Sequence, residues 1–301
     1  MLMRHTLLMI VILLLFSCND ERGETFPHLR DCYRLQTLSA PIHPIREGEW
    51  RSLHTEVPVP LKIYMRSAPA RADQKRTKLY VMKIGDFDAT GNLIFDQASA
   101  YLQAYYQIQV DTVAPLDIKS IPLKYTRKRS EGLQLNSSYI ITNILPERKP
   151  DSAFALIAFS LYDLYPDEQW NFVFGQASLN TGVGVWSLAR LGDYKESPEQ
   201  YRICLERTLK VAAHETGHML GIQHCVKYEC SMNGSNSLLE SDLQPEWLCW
   251  ECLAKLCWNR NTTPQAHLAA LLRFHETVTH NRKSIPYYRK ALGLLPVQKT
   301  Q

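Results

Sequence analysis

Residues 197–224 read SPEQYRICLERTLKVAAHETGHMLGIQH, and the punctuation of this stretch decides the fold. Ser197 is a good N-cap, Pro198 suits the first helical position, and Gln200, three residues after the serine, completes a capping box. Tyr201, Leu205, Leu209, Ala212 and Thr216 recur at three- and four-residue intervals, which gives one face to bury against a sheet. Gly221 ends the helix, because a residue without Cβ adopts positive φ and turns the chain. The spacing predicts one helix of roughly 23 residues, about 34 Å long at 1.5 Å per residue.

The end of that helix carries chemistry. His214 and His218 are four residues apart, so both imidazoles leave one face and can reach a single ion at the roughly 2.0–2.1 Å that zinc requires. Past Gly221 the reversed chain brings His224 back toward the same ion and leaves a fourth position open, as catalytic zinc sites do. Glu215 stands about 100° round the helix from His214, close enough to take a proton from water at the open position and not naturally a ligand. Any one of these histidines alone would read as an ordinary core or surface residue; together with Glu215 and Gly221 they read as a site.

Four of the eight cysteines form a second pattern. Cys225, Cys230, Cys249 and Cys252 make C-x4-C followed by C-x2-C, two chelating turns suited to a closed tetrahedral zinc that would be structural. Two disulfides are the competing reading if the chain meets an oxidising compartment. Cys32, Cys204 and Cys257 have no evident role.

Outward from the helix, strands and helices alternate. Residues 79–84 read as a buried strand, Ala98, Leu102 and Tyr105 or Tyr106 fall at helical spacing, and Ile108-Gln109-Val110 reads as a second strand. A short helix near 137–145 is expected to end at Pro146, and residues 153–159 are apolar and strand-like. Two more strands are expected at 170–174, stopped by Gly175, and at 183–188, with the turn-rich residues 178–182 between them. Such alternation ahead of a long helix predicts an α/β sheet packed on that helix. Thr263-Pro264 opens a further helix carrying Leu268, Leu271, Leu272 and Val278, and another is expected after Pro286, both packing against the domain; His267, His275 and His280 are too scattered for a ligand set.

At the N-terminus, Arg4 and His5 precede an apolar run, residues 7–16, about half the length of a bilayer-spanning helix and like the hydrophobic region of a secretory signal. It closes with Leu15-Phe16-Ser17-Cys18, which resembles a bacterial lipobox, where the chain is cut before the cysteine and its thiol receives diacylglycerol. The expectation is a signal peptide at 1–17 and Cys18 as a lipid anchor. The protein would then be tethered to a membrane of the bacterial cell envelope without spanning it. A plain signal peptide with an incidental cysteine is the alternative. Residues 18–60, polar and punctuated by Pro27, Pro41, Pro44, Pro58 and Pro60, read as a tether with some packed turns. A catalytic domain at 61–258 and a helical extension at 259–301 complete the division.

Composition narrows the classes further. The 301 residues are 45% apolar and 21% charged, enough to bury a full core, and the net charge is only +4. The tightest basic cluster is Arg127-Lys128-Arg129, too little to argue for a nucleic-acid partner. No repeat or low-complexity tract suggests a solenoid, propeller or fibre.

His214 to His224, with Cys225, Cys230, Met232, Cys249 and Cys252, resembles the signature of the archaemetzincins, a family within the metzincin clan of zinc peptidases. The similarity runs upstream through Trp170-Asn171-Phe172-Val173-Phe174-Gly175 and Val185-Trp186-Ser187-Leu188-Ala189-Arg190, covering about residues 78–258. The resemblance implies that His214, His218 and His224 bind a catalytic zinc, that Glu215 is the general base, that Met232 lies in a turn beneath the metal, and that the four cysteines hold a second zinc. It implies a metzincin-like fold: a twisted mixed sheet with one antiparallel edge strand over an active-site helix, and a smaller C-terminal zinc-bound part. It also implies metallopeptidase activity, aminopeptidase-like, on peptide or protein substrates. Two departures stand out. Sixteen residues separate Met232 from Cys249, one fewer than the family spacing, which a loop absorbs. Gly234 stands where some other metzincins place a tyrosine that stabilises the oxyanion.

In the expected mechanism zinc acidifies water and polarises the scissile carbonyl, while Glu215 takes the water's proton and hands it to the leaving amine. Residues 171–175 are either an edge strand along which an extended peptide lies or an ordinary hydrophobic strand. A zinc-stabilised binding protein that cleaves nothing would need the same ligands. A thiol redox module at Cys249-Trp250-Glu251-Cys252 lacks the strand-to-helix surroundings such a module requires.

Overall fold

The eight residues Ala153–Ser160, AFALIAFS, are buried at every position, and an apolar run without alternation belongs to a strand covered on both faces. This strand is the centre of the main sheet. The computed structural model describes residues 26–296; the apolar run 7–16 and Cys18 lie outside them. In chain order the principal elements are α1 (Leu29–Arg34), β1 (Lys78–Ile84), α2 (Ala89–Tyr106), β2 (Gln109–Thr112), β3 (Thr126–Arg129), β4 (Gly132–Asn136), β5 (Ala153–Ser160), β6 (Asp163–Tyr165), β7 (Gly175–Ser178), β8 (Val183–Ser187), α3 (Pro198–Met219), α4 (Leu238–Leu243), α5 (Trp250–Arg260), α6 (Pro264–Phe274) and α7 (Ser284–Gly293).

The main sheet has the order β2-β1-β5-β8-β7. β1 is parallel to β2 and β5, β5 is parallel to β8, and β7 runs antiparallel along the edge. Mixed sheet and single antiparallel edge strand are as the resemblance implies. α2 and α3 cover one face, where Leu79, Val81, Ile157, Phe159, Leu205 and Leu209 share a core. The alternate residues Met82, Ile84, Leu156 and Ala158 enter a smaller core on the other face. A second sheet, β3-β4-β6, contributes Leu135 and Leu164 to it. The β3–β4 hairpin was invisible as structure: its first strand is the basic cluster Arg127-Lys128-Arg129.

Three expectations need correction. The edge strand begins at Gly175, where the expected strand 170–174 was to stop. Gly175 permits it, because a Cβ there would lie 3.0 Å from the Val185 carbonyl. Residues 170–173 instead turn toward the second sheet: Val173 bridges Leu164 of β6, the carbonyls of Trp170 and Asn171 accept from the Arg127 guanidinium, and Arg190 lies 3.7 Å over the Phe172 ring. The short helix does not end at Pro146. A π-helical turn, Ile140–Ile144, interrupts it, and Pro146 falls in the first turn of Leu145–Arg148, where a missing N–H leaves no bond unmade. The tether is shorter than 18–60, since Phe26, Cys32 and Leu35 are buried in the main core. Its apolar side chains are spaced by turns and so carry no period. The C-terminal helices pack against the domain: α6 lies on α2, and Leu268, Leu271 and Tyr288 belong to the same core.

One consequence is titratable. His267 on α6 is 1% exposed and donates from Nδ1 to the Tyr105 carbonyl at 2.8 Å. Burial pushes its pKa down to about 4 from an ordinary 6.5. The unfolded chain therefore takes up a proton below pH 6.5 that the folded chain refuses until about pH 4, so stability is full above that window and is lost as pH falls through it. Urea-unfolding midpoints followed from pH 7 to 4 should fall, and His267→Gln should remove up to about 3 kcal/mol of that pH-dependent loss. An unchanged slope in the variant would show that His267 is not part of it.

Candidate metal centre

α3 is capped as its sequence requires: Ser197 Oγ accepts from Gln200 N at 3.2 Å, and Pro198 opens the helix. The helix closes where Gly221 turns at φ +75, with its N–H bonded to the His218 carbonyl at 2.8 Å. That reversal returns His224 to the helix end. The rings of His214, His218 and His224 form a triangle with centroids 4.6, 4.8 and 5.3 Å apart.

The outer nitrogen of each ring is held. Nδ1 of His214 meets the Ser231 carbonyl at 2.9 Å, Nδ1 of His218 meets the Ile222 carbonyl at 2.8 Å, and Nδ1 of His224 meets the Glu56 carboxylate at 2.8 Å. Carbonyls and carboxylates only accept, so each Nδ1 carries a proton, and in the buried His214 and His218 the neutral ring presents a bare Nε2. The Nε2 atoms of His214 and His218 face each other at 3.0 Å. Two lone pairs at that distance repel, and a cation between them removes the conflict. One ligand atom from each of the three histidines lies within 4.8 Å of the others, a donor set that fits one zinc. Burial lowers the pKa of His214 and of His218 to about 4, so protons do not compete for these nitrogens near neutrality.

Glu215 stands outside this ligand group. It lines the same cleft of about 280 Å³ as the three histidines, Trp50 and Phe174. Among the described residues it has no hydrogen-bond or ion-pair partner. Burial raises its carboxyl above the usual range against the opposing pull of His218 and His224, so this is a carboxylate prepared to hold a proton.

Cys225, Cys230, Cys249 and Cys252 are buried together with their sulfurs within 4.8 Å of one another. All are free thiols, and Sγ of Cys225 and Cys249 lie 3.8 Å apart. The edge of a tetrahedron with 2.3 Å zinc–sulfur bonds is about 3.8 Å. Backbone N–H groups of Met232 and Cys249 point at Cys230 Sγ, and that of Cys252 at Cys249 Sγ, which favours thiolates. Hydrogen bonds from Cys230, Cys249 and Cys252 hold the Cys225 thiol well below the usual range, while burial pushes Cys230 up and the bond with Cys225 raises Cys252, so the cluster without a cation carries its charge on Cys225.

Between the two clusters lies the loop 225–233. Met232 is buried beneath α3, where a Cβ at Gly217 would lie 2.6 Å from its sulfur, so the glycine of the helix makes room for the methionine. Asn233, which nothing in the sequence singled out, pins this loop. Its amide donates to the carbonyls of Cys225 and Tyr228 at 2.5 and 2.9 Å, and its oxygen accepts from Cys230 N at 2.7 Å. Gly234 is roofed by Trp50, whose ring would be 2.4 Å from a Cβ there. Trp50 and Glu56 also escaped notice, because they sit in the proline-punctuated segment far upstream with no motif to mark them.

Residues 143–257 match Peptidase family M54. Archaemetzincin-2 of Mus musculus is 32% identical over 73% of this chain and 70% of its own length, and that of Homo sapiens is 31% identical over 78% and 72%. The chain belongs to the archaemetzincin family. Archaemetzincin of Pyrococcus furiosus is 30% identical over 60% of this chain and 93% of its own length. The crystal structure of archaemetzincin from Methanopyrus kandleri matches with a TM-score of 0.50 at 26% identity, over 62% of this chain and 97% of that one. This archaemetzincin is accordingly a zinc metallopeptidase, a hydrolase acting on peptide or protein substrates.

Asn233→Ala strips the loop of three bonds and leaves a buried N–H and carbonyls unpaired. It should destabilise the protein by about 2–4 kcal/mol, measured by chemical denaturation. Stability within about 0.5 kcal/mol of wild type would show that the loop is held by its sulfurs alone.

Proposed function

We propose that His214, His218 and His224 hold the catalytic zinc of this peptidase, with Glu215 as general base, and that Cys225, Cys230, Cys249 and Cys252 hold a second, structural zinc, giving two per chain. The observation that carries this reading is the facing pair of bare Nε2 nitrogens with the third imidazole closing the triangle. Zinc bound there would supply a Lewis acid that polarises a scissile carbonyl and acidifies the attacking water. Glu215 takes the proton of that water. Burial favours its protonated form, so it holds the proton and passes it to the amine nitrogen as the carbon–nitrogen bond breaks. Met232 supports the helix turn that carries His218 from below.

The substrate lies along β7. Its free edge offers main-chain pairing to an extended peptide, and Phe174, the residue before the strand, lines the cleft beside the histidines. The aminopeptidase-like action that the family resemblance implies belongs to this reading. The signal pattern at 1–17 and the lipobox-like Cys18 support export and a lipid anchor in the bacterial cell envelope.

Elemental analysis of folded protein should find two zinc ions per chain. Glu215→Gln should keep both and lose at least about 100-fold in peptide turnover; undiminished cleavage with zinc in place would eliminate this base. Peptides with a blocked amino terminus should be cleaved more slowly than their free counterparts if the enzyme works from that end. Cells fed labelled fatty acid should label the wild-type protein and not Cys18→Ser.

A further inference from the structure

Two of the three imidazoles are backed by carbonyls of the loop that follows α3, Ser231 behind His214 and Ile222 behind His218. His224 is different. Its Nδ1 meets a side chain 168 residues earlier, the carboxylate of Glu56, at 2.8 Å from Oε1. Oε2 of the same carboxylate accepts from the Trp50 indole Nε1 at 2.9 Å, so the group is gripped at both oxygens. Trp50 is fixed in turn. Its backbone N–H donates to Glu240 at 3.0 Å, and its ring lies edge-on to His224 with centroids 5.0 Å apart.

The segment carrying these residues is tied to the cysteine loop ahead of them. Ile42 N donates to the Lys227 carbonyl at 3.0 Å, Glu229 N donates to the Ala40 carbonyl at 2.9 Å, and His43 sits between Glu229 and Glu49. Residues 40–56 thus form a strap that begins on the cysteine loop and ends on the third imidazole.

We propose that Glu56 is a positioning residue for the metal centre and that Trp50 holds it there, so that the N-terminal strap completes a site whose other residues lie within 143–257. The physics is that of a carboxylate behind a ligating imidazole. With only acceptors to offer, Glu56 keeps the proton on Nδ1, aims the Nε2 lone pair inward, raises its basicity and removes the freedom of the ring to rotate. Such partners typically change metal affinity by about 10–100-fold. The inference rests on the reading of His224 as a zinc ligand.

The test uses the full chain, with zinc affinity measured by competition with a chromophoric chelator and folding followed by circular dichroism. His224→Ala should lose one zinc per chain; if it keeps wild-type zinc content and affinity, the ligand assignment itself fails. With that assignment standing, Glu56→Ala should weaken the same zinc by about 10–100-fold, and Glu56→Gln, which keeps the shape and loses the charge, by less. Trp50→Phe, which lacks the indole N–H, should fall between wild type and Glu56→Ala. Glu276→Gln, which breaks a surface pair with Arg289 outside the strap, should retain wild-type affinity. In cobalt(II)-loaded protein at saturating metal, the visible bands should shift in Glu56→Ala and not in Glu276→Gln. Wild-type affinity in Glu56→Ala, or an equal loss in Glu276→Gln, overturns the proposal.

Discussion

Three imidazoles are kept face to face, and the two bare nitrogens among them oppose each other unless a cation lies between. Acceptors at the back of each ring place a proton on Nδ1, and burial keeps His214 and His218 from taking up a second one. The lone pairs of His214 and His218 are thereby forced toward each other across 3.0 Å. Fixed tautomers and desolvation both raise the free energy of the empty pocket, and both favour a metal-loaded one, because nothing has to reorganise when the ion enters.

Each level of the fold serves that arrangement. The buried central strand β5 fixes the sheet, α3 lies on one face of it, and the turn at Gly221 sends His224 back. Gly217 lets Met232 close in beneath the helix. The four cysteines begin one residue after His224, so the sulfur cluster and Asn233 set the path of the loop that backs His214. A zinc bound among the cysteines would stiffen that loop, linking a structural ion to the geometry of the catalytic one.

What was legible in the sequence follows from how local the cause is. The α3 cap, its buried face and its glycine end depend on residues three or four apart, and the helix ran from Pro198 to Met219 as punctuated. The edge strand was misplaced because Trp170-Asn171-Phe172-Val173-Phe174 has strand-like composition, while its backbone is claimed by the side chains of Arg127 and Gln134 from a hairpin that left no apolar period. The strap was least legible. Its apolar residues come singly between prolines, and the importance of Trp50 and Glu56 arises only when a segment remote in sequence lies against His224.

Anomalous diffraction at the zinc edge from crystals of the full chain tests the central convergence most directly. The geometry predicts one peak at roughly 2.0–2.1 Å from the Nε2 atoms of His214, His218 and His224, with Glu215 unbound, and another at about 2.3 Å from four cysteine sulfurs. A map with no peak among the imidazoles, or with the Glu215 carboxylate as a ligand, would contradict it.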